Sequence, residues 1–174
     1  MIKGFLIAGL SSCVGVAHAI DLTGTVYDAA GKETNIDPKL LFAISLVESA
    51  TEAGNNKISP YPWTLRSDKP FYGRTRKDAE KELARLLAQG VAVDVGLMQI
   101  NTRWHGHRVK QPSDLLDPLT NVRIGAQILN ERLKASPKDA VKAVATYHSF
   151  DEERGRWYAG KVFRVWTWLN ENER

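Results

Sequence analysis

Twice the chain sets an aspartate directly before a proline and follows it with apolar residues at helical spacing, at Asp37-Pro38 and at Asp117-Pro118. An aspartate in that place accepts the free N–H groups of a first helical turn, and proline loses nothing there because its missing donor would have had no partner. Each pair predicts a helix start. One helix runs from Pro38 to about Ser49; the other carries Leu119, Val122, Ala126, Leu129 and Leu133 on one side. Thr75 with Asp78 three residues on is a capping-box pattern with Asp in place of Glu. It opens an amphipathic stretch with Ala79, Leu83, Leu86 and Leu87, which Gly90 stops. Ser136-Pro137 predicts a further start, with Ala140, Val144 and Tyr147 in register. Val26 to about Thr34 is a short helix, and the tail keeps Tyr158, Val162, Val165, Trp166 and Leu169 at helical spacing. Strand signals are scarce: "VAVDV" is one short candidate, and "SPYPWTLRSDKPFYG" reads as an ordered loop because of its three prolines and its glycine. The predicted class is mainly α, with at most a small β-hairpin.

The first nineteen residues stand apart. Lys3, an apolar run and Ala17-His18-Ala19 form the pattern of a secretory signal peptide, removed after Ala19. The run is shorter than the roughly 20 residues that span a bilayer. A second reading takes Leu10-Ser11-Ser12-Cys13 as a lipoprotein box, with the protein tethered through Cys13. That cysteine is the only one, so the mature chain has no disulfide and depends on packing. Residues 20–174 are long enough for one core. The formal charge of +4 suits an anionic polymer and is too small to argue for nucleic acid.

Three segments carry candidate chemistry. In "LLFAISLVESA", Leu41, Ile44 and Glu48 share a helix face, so the carboxylate continues an apolar stripe. It also lies in the last turn, where the helix dipole is negative. Both effects disfavour the ionised form, which is what a general acid needs. The competing reading is a solvated helix end. In "DVGLMQIN", Gly96 frees the backbone, while Gln99 and Asn101 offer paired donors and acceptors suited to hydroxyl and acetamido groups; a helix start with a core Met98 explains it as well. In "AVATYHS", Tyr147 falls on the apolar side of its helix, where a structural tyrosine is the ordinary case.

Taken in order, Ala43…Glu48-Ser49, Gly96-Leu97-Met98-Gln99-Ile100-Asn101 and Ala145-Thr146-Tyr147 resemble the lysozyme-like domain of soluble lytic transglycosylases. More narrowly they resemble its small exported members that accompany conjugation, type IV secretion and pilus machineries. The resemblance spans about Val26 to Leu169. It implies a goose-type, lysozyme-like helical domain that cleaves the β-1,4 bond between N-acetylmuramic acid and N-acetylglucosamine in peptidoglycan. It implies Glu48 as the single catalytic acid/base, Ser49 as the residue that helps orient it, Met98, Gln99 and Asn101 as the wall of the substrate cleft, and Tyr147 close to the catalytic carboxyl. It implies no metal and no cofactor. The partners it implies are glycan strands and a trans-envelope apparatus, and the compartment is the periplasm.

The chain departs from the family in two places. Tyr147-His148-Ser149-Phe150 stands where the family often has Tyr-Asn-x-Gly, and an insert at about 53–93 separates Glu48 from Gly96. Trp63, Phe71 and Tyr72 in the insert either stack on sugars or pack the insert onto the domain. Asp94 either caps the following turn or faces the cleft as the second acid of a hydrolytic lysozyme. An inactive peptidoglycan-binding adaptor is a third alternative. His105 and His107 are two ligands at most, too few for a metal site.

Overall fold

In a computed structural model of the protein, residues 20–53 and 57–171 are described, so the expected signal segment lies outside the described residues. Among the described residues seven α-helices appear in chain order: α1 (Val26–Thr34), α2 (Pro38–Ser49), α3 (Arg76–Ala88), α4 (Thr102–His105), α5 (Pro118–Ala135), α6 (Ala140–His148) and α7 (Glu152–Glu171). The starts follow the local chemistry of the sequence. Asp37 accepts from the Lys39 N–H, Asp117 accepts from that of Thr120, and Thr75 with Asp78 closes a complete capping box. α6 begins later than Ser136-Pro137 predicts, because Asp139 accepts from the Lys142 N–H and takes the cap.

The class is mainly α, as expected, but the strand content exceeds one hairpin. β1 (Ala50–Glu52) pairs with β2 (Ile58–Pro60), and a second sheet runs in the order β4-β3-β5-β6, from β3 (Thr64–Arg66), β4 (Pro70–Tyr72), β5 (Asp94–Val95) and β6 (Ile100–Asn101). All pairings are antiparallel. The proline-rich stretch expected as a loop therefore supplies three strands. Each is three residues long, too short for an alternating pattern, and Pro70 opens an edge strand, where a missing donor is tolerated.

The core forms where α2 packs on α7, α1 on α5, and α5 and α7 on α6. Leu41, Ile44, Val122, Leu129, Val144 and Val162 are fully buried in it. Each such side chain contributes about 1.5–3 kcal/mol by leaving water. Tyr158 is the largest of the fully buried side chains, and it stands next to the last turn of α2. This packing presents the C-terminal end of α2 to the β5–β6 hairpin and to the end of α6.

Candidate active site

The hairpin turn between β5 and β6 is "Gly96-Leu97-Met98-Gln99". Gly96 has φ +79°, and a Cβ there would drive into the Asn121 side chain and come within 2.9 Å of the Leu115 carbonyl, so only glycine fits. Gln99 is itself left-handed at φ 47°. Asn121 holds the turn from α5. Its Oδ1 accepts from the Met98 N–H at 2.8 Å, and its Nδ2 donates to the carbonyls of Val95 and Leu115, each at 2.8 Å. Gly125, one turn further along α5, leaves the space that the Met98 side chain fills.

A cleft of about 780 Å³ opens beside this turn. Its lining includes Glu48, Asp94, Gln99, Asn101, Tyr147 and His148. Five of those six are residues the sequence singled out, drawn from α2, β5, β6, the turn and α6. The sixth is His148. Glu48 is only 8% exposed, so it does not rotate out into solvent. The His148 Nδ1 lies 3.8 Å from Glu48 Oε1, and the imidazole stacks flat on the Tyr158 ring, with centroids 4.3 Å apart and planes 5° from parallel. The Tyr158 hydroxyl is buried next to the Glu48 carboxyl; burial first, and that charge second, push its pKa well up.

Tyr147 donates to the Met98 carbonyl at 3.0 Å, which ties α6 to the turn. Its phenol is pushed well above the ordinary range, by desolvation first and then by the charges of Glu48 and Asp94. Asp94 does not cap the turn: it accepts from Asn101 Nδ2 at 2.7 Å across the β5–β6 pair and faces the cleft. Burial raises its carboxyl above the usual range against the opposing Asn101 bond, and Glu48 adds to the rise. Gln99 Nε2 donates to the Gly96 carbonyl at 2.9 Å. The Asn101 Oδ1 accepts from the N–H groups of Arg103 and Trp104, so this side chain serves both the cleft and the start of α4.

Two expected site residues stand elsewhere. The Met98 side chain is fully buried against Gly125 and forms no part of the cleft wall; thioether and apolar neighbours fit the core better than water. Ser49 is also buried. It donates to the Leu97 carbonyl at 2.8 Å and to the Ser45 carbonyl at 3.1 Å, which fastens the end of α2 to the turn instead of bonding the Glu48 carboxyl. In the insert, Trp63 and Phe71 pack against the core, Tyr61 meets Trp63 edge to face at 5.8 Å, and none of these rings lines the cleft. Trp104 and Phe150 do line it, 69% and 77% exposed.

The sequence reading missed Asn121 and His148 as working residues. Asn121 left one signal: it begins the row Asn121, Gly125, Ile128, Arg132 on α5, a polar residue and a glycine on an otherwise packed face. His148 stood out only as the residue in the place of the family's asparagine.

A family model, the transglycosylase SLT domain, matches residues 25–163. The chain belongs to that family. A curated relative, "Peptidoglycan-binding-like protein" from Escherichia coli O157:H7, is 30% identical over 156 residues, which cover 83% of this chain and 78% of the relative. The SLT domain of this chain thus has the lysozyme-like, mainly helical architecture, with Glu48, Asp94 and His148 gathered in one cleft.

Proposed function

We propose that this SLT-domain protein is a peptidoglycan lytic transglycosylase that cleaves the N-acetylmuramic acid–β-1,4–N-acetylglucosamine bond with Glu48 as its acid/base. The observation that carries the reading is a nearly buried carboxyl at the end of α2 that lines a cleft of about 780 Å³. Protonated Glu48 gives its proton to the glycosidic oxygen as the C1–O bond breaks. The substrate's 2-acetamido oxygen bonds to C1 and holds the developing positive charge. Ionised Glu48 then takes the proton of the muramic 6-hydroxyl, and O6 displaces the acetamido oxygen to close a 1,6-anhydro ring. No water is consumed, and no second carboxylate is required. The cleft supplies polar contacts from Gln99 and Asn101.

Asp94 favours a second reading. It shares the cleft with Glu48, so a hydrolytic lysozyme with Asp94 positioning a water is the competing mechanism. Mass spectrometry of digested peptidoglycan separates the two, because a lyase leaves 1,6-anhydro ends and a hydrolase leaves reducing muramic ends. The relative's description as peptidoglycan-binding-like supports the wall as ligand under either chemistry, and it also fits an inactive adaptor, which would bind sacculi without turnover. The N-terminal pattern supports export to the periplasm, with lipid tethering at Cys13 as the alternative. The resemblance to small exported transglycosylases supports local opening of the wall for a conjugation or secretion apparatus.

A further inference from the structure

Arg132 stands one turn beyond Ile128 on the face of α5 that lines the cleft. Glu131 beside it is taken up by Arg108, whose Nη1 and Nη2 reach the two carboxylate oxygens at 2.8 Å each. The Arg132 Nε is buried and has no hydrogen-bond partner among the described residues. That N–H is closed to ligands as well as to water, so a group in the cleft meets this guanidinium through its two outer nitrogens, as a forked pair of donors. The exposed Phe150 ring lies over the guanidinium, 4.8 Å from its carbon to the ring centroid.

His105 completes the corner. Its Nδ1 accepts from Arg108 Nε at 3.3 Å, which leaves Nε2–H as the donor of the neutral ring. Burial first, and the cations Arg108 and Arg132 next, hold this imidazole below its usual range. The corner therefore offers one planar cation and one neutral donor, and Glu48 and Asp94 belong to the same cleft. A planar, forked donor set of this kind matches a carboxylate.

We infer that Arg132, framed by Phe150 and His105, is a subsite for a carboxylate borne by the muramic residue of the substrate. The inference rests on the proposed reading of the cleft as a muramyl-glycan site. Muramic acid differs from glucosamine by its lactyl ether, which ends in a free carboxylate on bare strands and in a peptide stem, itself carrying carboxylates, on substituted ones. The subsite would let the protein tell wall glycan from the neutral chitin chain of the same backbone.

The test uses the full mature chain carrying Glu48→Gln, so that ligands stay uncut. Three tetrasaccharides are titrated by calorimetry: chitotetraose, a muramyl tetrasaccharide with free lactyl carboxylates, and the same sugar with peptide stems. Adding Arg132→Met should weaken one or both carboxylate ligands about tenfold and leave chitotetraose within about twofold, with Arg132→Lys recovering part of the loss. The ligand that weakens names the source of the carboxylate. If Arg132→Met folds poorly, the parent protein decides: raising salt should weaken the carboxylate ligands and spare chitotetraose. Equal loss for all three ligands, or no loss for any, overturns the subsite while leaving the cleft reading intact. No binding of any of the three ends both.

Discussion

Replacing Asn121 with alanine removes the side chain whose hydrogen bonds hold the Gly96–Gln99 turn against α5. It leaves the Met98 N–H and the carbonyls of Val95 and Leu115 without that partner, at a site only 1% exposed. A buried hydrogen bond contributes about 1 kcal/mol net, and an orphaned buried donor costs about 1–3 kcal/mol. Three bonds, one of them to a backbone N–H, give a loss of about 3–5 kcal/mol, a large share of the roughly 5–15 kcal/mol that holds a domain folded. At about 2–4 °C per kcal/mol for a chain of this size, the melting temperature should fall by about 6–20 °C. Calorimetry measures this directly. The turn also presents Gln99 to the cleft and gives Tyr147 its acceptor, so turnover of sacculi should fall at temperatures where the variant is still folded. A drop under about 3 °C with full turnover would mean that the turn holds itself without Asn121.

Other substitutions probe the remaining contacts. Asp94→Asn keeps an oxygen for Asn101 and removes a carboxylate whose pKa burial has raised. The folded state binds that proton more tightly than the unfolded state, so wild type loses stability as pH rises through the range above about 4, and the variant should melt higher at pH 7 by a margin that vanishes toward pH 3. A constant margin across that range contradicts the assignment. His148→Ala removes the imidazole 3.8 Å from Glu48 and should lower kcat about tenfold with KM little changed, whereas His148→Phe, which keeps a ring on Tyr158, should match the stability of wild type and the low kcat of the alanine variant. Unchanged kcat in both would show that His148 does not position the acid. Trp63→Ala should cost about 2–3 kcal/mol in denaturant unfolding, with sacculus binding per folded molecule retained, because the ring packs with Tyr61 away from the cleft. Loss of binding at full stability would restore the ring as a sugar platform.

The helix starts were legible in the sequence because capping is local: Asp37, Thr75 with Asp78, and Asp117 each bond a backbone N–H within three residues. The strands were not, since two- and three-residue segments show no period and depend on partners such as Leu65 opposite Val95, thirty residues apart in sequence. Glu48 was legible as a polar break in an apolar stripe, and burial bears out that placement. Met98 and Ser49 were harder. Both belong to segments that frame the cleft, but one side chain points into the core and the other to a carbonyl 48 residues away, choices made by tertiary packing. Asn121 was hidden for the same reason: its bonds reach 23 and 26 residues back along the chain, to Met98 and Val95, and no spacing rule encodes them.

The proposed mechanism has Glu48 work as acid and then base in cleaving wall glycan. The most direct measurement is product analysis of purified sacculi treated with wild type and with Glu48→Gln. Wild type should leave 1,6-anhydromuramic ends, and the variant, which has no proton to give or take, should lose turnover about a thousandfold or more. Turnover that survives in Glu48→Gln, or reducing muramic ends in place of anhydro ends, would contradict that mechanism.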